Sequence, residues 1–221
     1  MTVFTPHQDA ALKAVGAWLK AKPGQDSTPQ TFRLFGYAGT GKTTLARHLG
    51  EEVDGKVLYA AFTGKAALVM RSKGCERAST IHSLIYKTRE SGEEVPSFDL
   101  WDDAPASKAA LIVIDECSMV DAELGRDLMS FGVPLLVLGD PAQLPPIQGG
   151  GFFTESEPDA MLTEVHRQAE DNPIIRLSMD IRSGIELEPG RYGQTEIVVR
   201  GDLEPQRGIH ADQRLVGRNA P

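Results

Sequence analysis

Gly36-Tyr37-Ala38-Gly39-Thr40-Gly41-Lys42-Thr43 fits the pattern G-x-x-x-x-G-K-[ST], and its surroundings decide the fold. Thr31-Phe32-Arg33-Leu34-Phe35 before it reads as a short buried strand, and Thr44-Leu45-Ala46-Arg47-His48-Leu49 after it as a helix. A Gly-rich turn between strand and helix aims the free N–H groups of the helix at a polyphosphate. Gly36, Gly39 and Gly41 let the backbone close around the phosphates, with Thr40 and Thr44 in the same cradle. Lys42 then reaches the β- and γ-phosphates, and Thr43 offers a hydroxyl to Mg²⁺. A chance match would lack the flanking strand and helix. The chain is therefore expected to bind a nucleoside triphosphate.

Working outward, residues 56–62 read as a second strand, 64–73 as a helix and 80–86 as a short helix. Leu111–Ile114 and Leu135–Leu138 are apolar runs far too short to span a membrane, and they read as buried strands. The order strand–helix–strand–helix–strand predicts an α/β fold, a parallel sheet with helices on both faces. Ahead of it, residues 5–20 place Leu12, Val15, Trp18 and Leu19 at helical spacing, with Thr5 suited to the N-cap, Pro6 to the first turn and Gln8 to the third position. Between 87 and 107 the pattern breaks. Glu90-Ser91-Gly92-Glu93 looks like a turn and Phe98 and Trp101 stand as isolated aromatics, which reads as a small inserted β-hairpin. After Pro158 apolar runs are few, apart from a helix over 172–183 and a strand over 196–199. The expected organisation is one domain over 1–158 and an incomplete second one over 159–221.

The bulk numbers narrow the class. Of 221 residues, 41% are hydrophobic and 24% charged, as in ordinary soluble domains. A net charge of −8 gives no global attraction to nucleic acid, so such binding needs a local basic surface. Cys75 and Cys117 have no metal-ligand spacing, and two cysteines suit a reducing compartment. The first residues lack a charged segment followed by an apolar core, so no signal peptide is read and a cytoplasmic location without membrane partners is expected.

Five further features carry chemistry. Leu111–Ile114 runs into Asp115-Glu116, so one acid can hold Mg²⁺ and the other can orient and deprotonate the attacking water. Gln143, in the loop after Leu138, either contacts the γ-phosphate or sits solvated in a Pro-rich turn. Arg167 is either an arginine finger, worth roughly 10³–10⁵ in rate, or an ordinary solvated arginine. Gln8 either closes a capping box or pairs its amide with adenine, and the two readings are compatible. Residues 63–89 also hold six basic side chains, Lys65, Arg71, Lys73, Arg77, Lys87 and Arg89, against Glu76 alone. With Thr63, Thr80, His82 and Ser83 they make a track for the backbone of a single strand, or a solvated helix face.

In this order the segments resemble superfamily 1 helicases of the 5′→3′ group, above all RecD-like DNA helicases with Dda-type and PIF-type relatives. Thr5-Pro6-His7-Gln8 looks like the Q motif, Gly36–Thr43 like motif I, Phe62–Ala67 like motif Ia and Thr80–Leu84 like motif Ib. Asp115–Met119 resembles motif II, Gly139–Pro146 motif III and Leu162–Gln168 motif IV. The resemblance implies a RecA-like ATPase domain that uses ATP and Mg²⁺ to move on single-stranded DNA. By it, Gln8 reads adenine, Lys42 and Thr43 hold phosphate and metal, Asp115 holds metal, and Glu116 activates water. Gln143 and Arg167 sense the γ-phosphate, and Thr63, Lys65, Thr80 and His82 line the DNA path. The 87–107 insertion falls where relatives carry a strand-separating pin. Relatives continue into a full second RecA-like domain, of which 159–221 looks like the early part. A complementing helicase chain or recombination and replication proteins are then possible partners. The alternative is an ATP- and DNA-binding regulatory module that does not turn over.

Overall fold

The computed structural model describes residues 4–25, 27–89, 97–144, 146, 149–164 and 172–199. The chain divides into two compact units, Met1–His166 and Arg167–Pro221.

The first unit is built on a six-stranded sheet in the order β3-β2-β6-β7-β1-β8. Its strands are β1 (Thr31–Gly36), β2 (Val57–Ala61), β3 (Ser79–Thr80), β6 (Leu111–Asp115), β7 (Leu135–Gly139) and β8 (Ala160–Leu162). Every pairing in it is parallel. β6 and β7 are buried along their whole length, as strands covered on both faces must be. Their alternate side chains enter two separate cores. Leu111, Val113, Leu136 and Leu138 join Val15, Trp18, Leu45 and Met70 on one face. Ile112, Ile114, Leu135 and Val137 join Ile81, Leu84, Leu124 and Leu128 on the other. The first face is covered by α1 (Pro6–Lys20), α2 (Lys42–Glu51) and α3 (Gly64–Ser72), and the second by α4 (Ile81–Ile85) and α5 (Ala122–Met129). The α/β architecture read from the sequence is the one observed.

Helix α1 starts as its sequence dictates. The Thr5 hydroxyl accepts from the Gln8 N–H at 3.3 Å, and the Gln8 side-chain oxygen accepts from the Thr5 N–H at 3.0 Å, a closed capping box. The insertion is a hairpin. β4 (Tyr86–Arg89) pairs antiparallel with β5 (Ser97–Leu100), with Thr88 opposite Phe98. The turn expected at Glu90–Glu93 lies outside the described residues.

The end of the first unit differs from the sequence reading. A boundary after 158 would leave out β8, yet Ala160–Leu162 pairs with Leu34–Gly36 of β1 and closes the sheet at that edge. Three residues give too short a periodic signal to be seen in advance. In the second unit, α6 (Pro173–Arg182) begins at Asn172, whose side chain accepts from the Ile174 N–H. A two-stranded ribbon follows, β9 (Gly190–Tyr192) against β10 (Thr195–Ile197). The expected strand over 196–199 is thus part of this ribbon and stops at Ile197.

Candidate active site

Three neighbouring strands end together. Gly139, the last residue of β7, pairs with Phe35 of β1, and Ile114 of β6 pairs with Val137. Gly36, Asp115 and Asp140 therefore emerge side by side at the carboxyl edge of the sheet, where ligands of open α/β sheets bind.

The loop leaving β1 is shaped by its glycines. Gly39 and Gly41 take φ values of 81° and 83°, which side chains resist. A Cβ on Gly36 would lie 2.7 Å from the Leu162 carbonyl oxygen and 2.9 Å from the Thr40 hydroxyl. Thr40 donates that hydroxyl to the Tyr37 carbonyl at 2.8 Å. Helix α2 then begins at Gly41 with no side-chain cap and no acid in its first turn. Among the described α-helices it alone lacks a side-chain cap, since Thr5, Thr63, Thr80, Asp121 and Asn172 cap the others. Its first N–H groups and the positive end of its dipole are left for an anion.

The side chains converge on a cavity of about 400 Å³ lined by Lys42, Thr43, Thr44, Asp115, Glu116 and Gln143, with Gly39 and Gly41 in its wall. The Lys42 ammonium donates to the carbonyls of Gly36 at 2.7 Å and Tyr37 at 3.0 Å. Burial lowers its pKa, against the carboxylates of Asp115, Asp140 and Glu116. A desolvated cation resting on its own loop is ready to exchange carbonyls for phosphate oxygens. The Thr43 hydroxyl donates to the Asp115 carboxylate at 2.8 Å, and the other oxygen of Asp115 accepts from the Glu116 N–H at 2.9 Å.

Glu116 turns away from the strand at φ 56°, ψ 47°, left-handed backbone that a glutamate adopts only under constraint. Burial and then the Asp115 charge push its carboxyl above the usual value, while a hydrogen bond from Gln143 and the charges of Lys42 and Lys73 pull the other way. Gln143 in turn accepts from the Ser118 hydroxyl at 3.3 Å. Its two polar ends thus meet Ser118 and Glu116, so that the side chain, though exposed, is held beside that carboxylate. Hydroxyl, carboxylate and ammonium are the donor set a Mg²⁺–nucleotide takes, hard oxygens for the ion and a cation for the phosphates.

Gln8 lies next to this cavity. Besides closing the capping box, its side-chain amide donates to the Thr40 carbonyl at 3.0 Å, so it ties α1 to the phosphate loop. Thr63 follows β2, and its hydroxyl caps α3 by accepting from the Ala66 N–H. Lys65 stands exposed in the first turn of the same helix. Thr80 caps α4 and also donates to the Ser83 hydroxyl. Ala61 pairs with Thr80 across β2 and β3, and the rings of Phe62 and His82 meet at 6.0 Å. Thr63, Lys65, Thr80 and His82 are thereby gathered on the same edge as the cavity. Arg167 lies outside the described residues.

The basic run over 63–89 is not continuous in space. Lys73 lines the nucleotide cavity, the Arg71 guanidinium is held by the Ala78 carbonyl at 2.6 Å, and Arg77 borders a separate cavity with Tyr59. The sequence places Lys73 in the basic run and Ser118 only inside the Asp115–Met119 segment, and nothing in it gives either a place at this cavity.

Comparison with known proteins agrees with this geometry. A family model described as an AAA domain matches residues 25–201. The chain belongs to the AAA domain family. It is 32% identical over 164 residues to the ATP-dependent DNA helicase dda of Enterobacteria phage T4, an alignment covering 67% of this chain and 37% of that protein. It is 31% identical over 184 residues to the ATP-dependent RecD2 DNA helicase of Deinococcus radiodurans, covering 79% of this chain and 24% of the relative. The family member therefore spans well under half the length of these relatives. Its fold matches that of Bacteroides Pif1 bound to ssDNA with a TM-score of 0.57 at 23% identity, over 84% of this chain and 48% of the other. Pif1 from Bacteroides sp in complex with ADP-AlF4 gives 0.55 at 22% identity, over 85% and 48%. The RecD-, Dda- and Pif1-like resemblance read from seven short segments is borne out.

Proposed function

We propose that this chain is the ATP-hydrolysing motor domain of a 5′→3′ DNA helicase. The observation that carries the reading is the single cavity that brings together Lys42, Thr43, Asp115, Glu116 and Gln143 beneath an uncapped helix. The resemblance to helicases named as ATP-dependent supports it.

The free N–H groups of α2 and the Lys42 ammonium bind the phosphates and neutralise their charge. The Thr43 hydroxyl and the Asp115 carboxylate would hold Mg²⁺, which when bound supplies further positive charge to the phosphates. Glu116, steadied by Gln143, accepts the proton of a water that attacks the γ-phosphorus, while the bond to the β-phosphate oxygen breaks to leave ADP. Arg167 completes the site as a γ-phosphate finger. Gln8 reads adenine while it holds Thr40. Single-stranded DNA runs along the edge marked by Thr63, Lys65, Thr80 and His82, with the β4–β5 hairpin as the pin. The second unit, Arg167–Pro221, begins a second motor domain, and a complementing helicase chain or recombination and replication proteins are the partners this implies, in the cytoplasm.

ATP hydrolysis with and without single-stranded DNA, beside the Glu116→Gln variant, tests the reading. DNA-stimulated turnover that disappears in Glu116→Gln while ATP still binds supports it. Absence of both ATP and DNA binding would sink it, and ATP binding without turnover would favour a regulatory module.

A further inference from the structure

Lys73 lines the nucleotide cavity, yet no step of the nucleotide chemistry uses it. Helix α3 puts it there. Ala66, Val69 and Lys73 fall three and four residues apart, on one helical face, and all three line the cavity with Thr43 and Thr44 of α2. Ala66 and Val69 bring neither charge nor a side-chain donor. Among the described lining residues Lys73, the C-cap residue of α3, is therefore the one charged group on this helix face.

Its ammonium is uncommitted. The ion pairs of the described residues join acids to His7, Arg33, Arg47, His48 and Lys108, and none of them includes Lys73. The acids of the cavity are engaged elsewhere. Asp115 accepts from the Thr43 hydroxyl and the Glu116 N–H, and Glu116 is held by Gln143. The Lys73 charge is nevertheless felt across the cavity. Burial is the main cause of the lowered Lys42 pKa, and the Lys73 charge adds to it. The same charge opposes the burial that raises Glu116.

Two ammonium groups at one cavity repel each other, and an anion between them turns that repulsion into two attractions. Lys42 rests on the phosphate loop itself. Lys73 comes from α3 and acts on Glu116, the acid that faces the attacking water. The nucleotide group at that end is the terminal phosphate, which ADP lacks. A lysine suits it, because a flexible stem and three donors can follow oxygens whose charge changes during phosphoryl transfer. We propose that Lys73 binds the terminal phosphate of the nucleotide as a second cation beside Lys42. The inference rests on the reading of this cavity as an ATP site and adds to it a phosphate-binding residue from outside the phosphate motifs.

The test is calorimetric titration of the intact chain with the non-hydrolysable analogue AMP-PNP and with ADP, each with Mg²⁺. Lys73→Met keeps the length of the side chain and removes the charge. It should bind AMP-PNP about tenfold more weakly than the parent and ADP within about twofold. Lys73→Arg keeps the charge and should recover most of the AMP-PNP affinity. Lys73 is exposed, so the melting temperature of both variants should match the parent. Lys42→Ala separates the two levels of the argument. If it loses AMP-PNP while Lys73→Met binds as the parent does, the role of Lys73 is overturned and the ATP site stands. If the parent binds neither nucleotide, the ATP site falls and this inference with it. Equal loss of AMP-PNP and ADP in Lys73→Met, or equal loss in Lys73→Met and Lys73→Arg, also overturns the proposal. So does weakened oligothymidylate binding with AMP-PNP affinity intact, which would place Lys73 on the strand path instead.

Discussion

The hydrogen bond from Thr43 to Asp115 joins α2 to β6 across 72 residues of sequence, and its removal is the most informative perturbation of the nucleotide site. Both residues are buried, Thr43 at 7% exposure and Asp115 at 9%. Thr43→Val keeps the shape of the side chain and replaces the hydroxyl with a methyl group. The carboxylate then retains only the Glu116 N–H on its other oxygen. A hydrogen bond to a charged group contributes about 1.5–3 kcal/mol, so the variant should lose about 2 kcal/mol. For a unit of this size that is a fall of roughly 4–8 °C in Tm. Urea unfolding followed by the fluorescence of Trp18, buried in the first core, gives the measurement. Thr43→Ser should restore stability. A double-mutant cycle with Asp115→Asn should return a coupling above about 1 kcal/mol, because the two residues touch. A Thr43→Val variant within about 0.5 kcal/mol of the parent would refute the bond, even if ATP binding fell.

Three further expectations concern the same edge. Gly36→Ala places a Cβ 2.7 Å from the Leu162 carbonyl and 2.8 Å from the Leu162 Cβ, so it should cost about 1–3 kcal/mol and weaken nucleotide binding; unfolding indistinguishable from the parent would contradict the close approach of β1 and β8. Gln8→Ala removes both its half of the capping box and the tie to Thr40, at about 1–2 kcal/mol. Titration with ATP and GTP separates its roles: equal weakening assigns the tie, selective loss of ATP assigns adenine reading. Glu116 has a raised pKa, so the folded chain binds its proton more tightly than the unfolded one, and stability falls as pH rises from the ordinary glutamate range to the raised value. Glu116→Gln should therefore be more stable than the parent at pH near 7, with the difference gone below about pH 4. A gap that persists in acid would show that burial is not its cause.

What was legible in the sequence follows from how far each signal reaches. The capping box at Thr5 and Gln8 is complete within four residues, and α1 begins where it predicts. Strands β6 and β7 are continuous apolar runs, so their burial is written into composition. Helix α5 between these strands spans only eight residues and is not read from the pattern, although Asp121 caps it by accepting from the Leu124 N–H. Strands β8 and β9 have three residues each, too few to establish a period, whereas β10 falls in the run over 196–199 that reads as a strand. The candidate site shows the same division. The P-loop and the acid pair are local patterns and meet in one cavity. The basic run from Lys65 to Arg89 is local only in sequence, because α3 and the turn after it send Lys73 and Arg77 to different cavities. The second hydrogen bond of Gln8 depends on Thr40, 32 residues away, and nothing nearby in the chain announces it.

The register of the sheet limits how the two halves of this edge can communicate. Ala61 pairs with Asp115 on one side and with Thr80 on the other. Two strand spacings, about 9–10 Å, therefore separate Asp115 from Thr80, the residue that caps α4. Those strands are locked by parallel hydrogen bonds and by a core on each face, and such packing does not deform continuously. The parts free to answer the nucleotide are those outside the ladder: the Gly39–Gly41 turn with Lys42 folded onto it, and Glu116 in its left-handed turn with Gln143 and Ser118 behind it. Lys42 must release the Gly36 and Tyr37 carbonyls to reach a phosphate, and Gln143 must follow if Glu116 shifts toward water. A nucleotide-dependent signal to the Thr63–His82 edge has to start in these two turns and use the sheet as a fixed frame. Coupling between ATP and DNA on this unit should accordingly be lost when the turns are altered and kept when side chains of β2 are exchanged for others of equal volume.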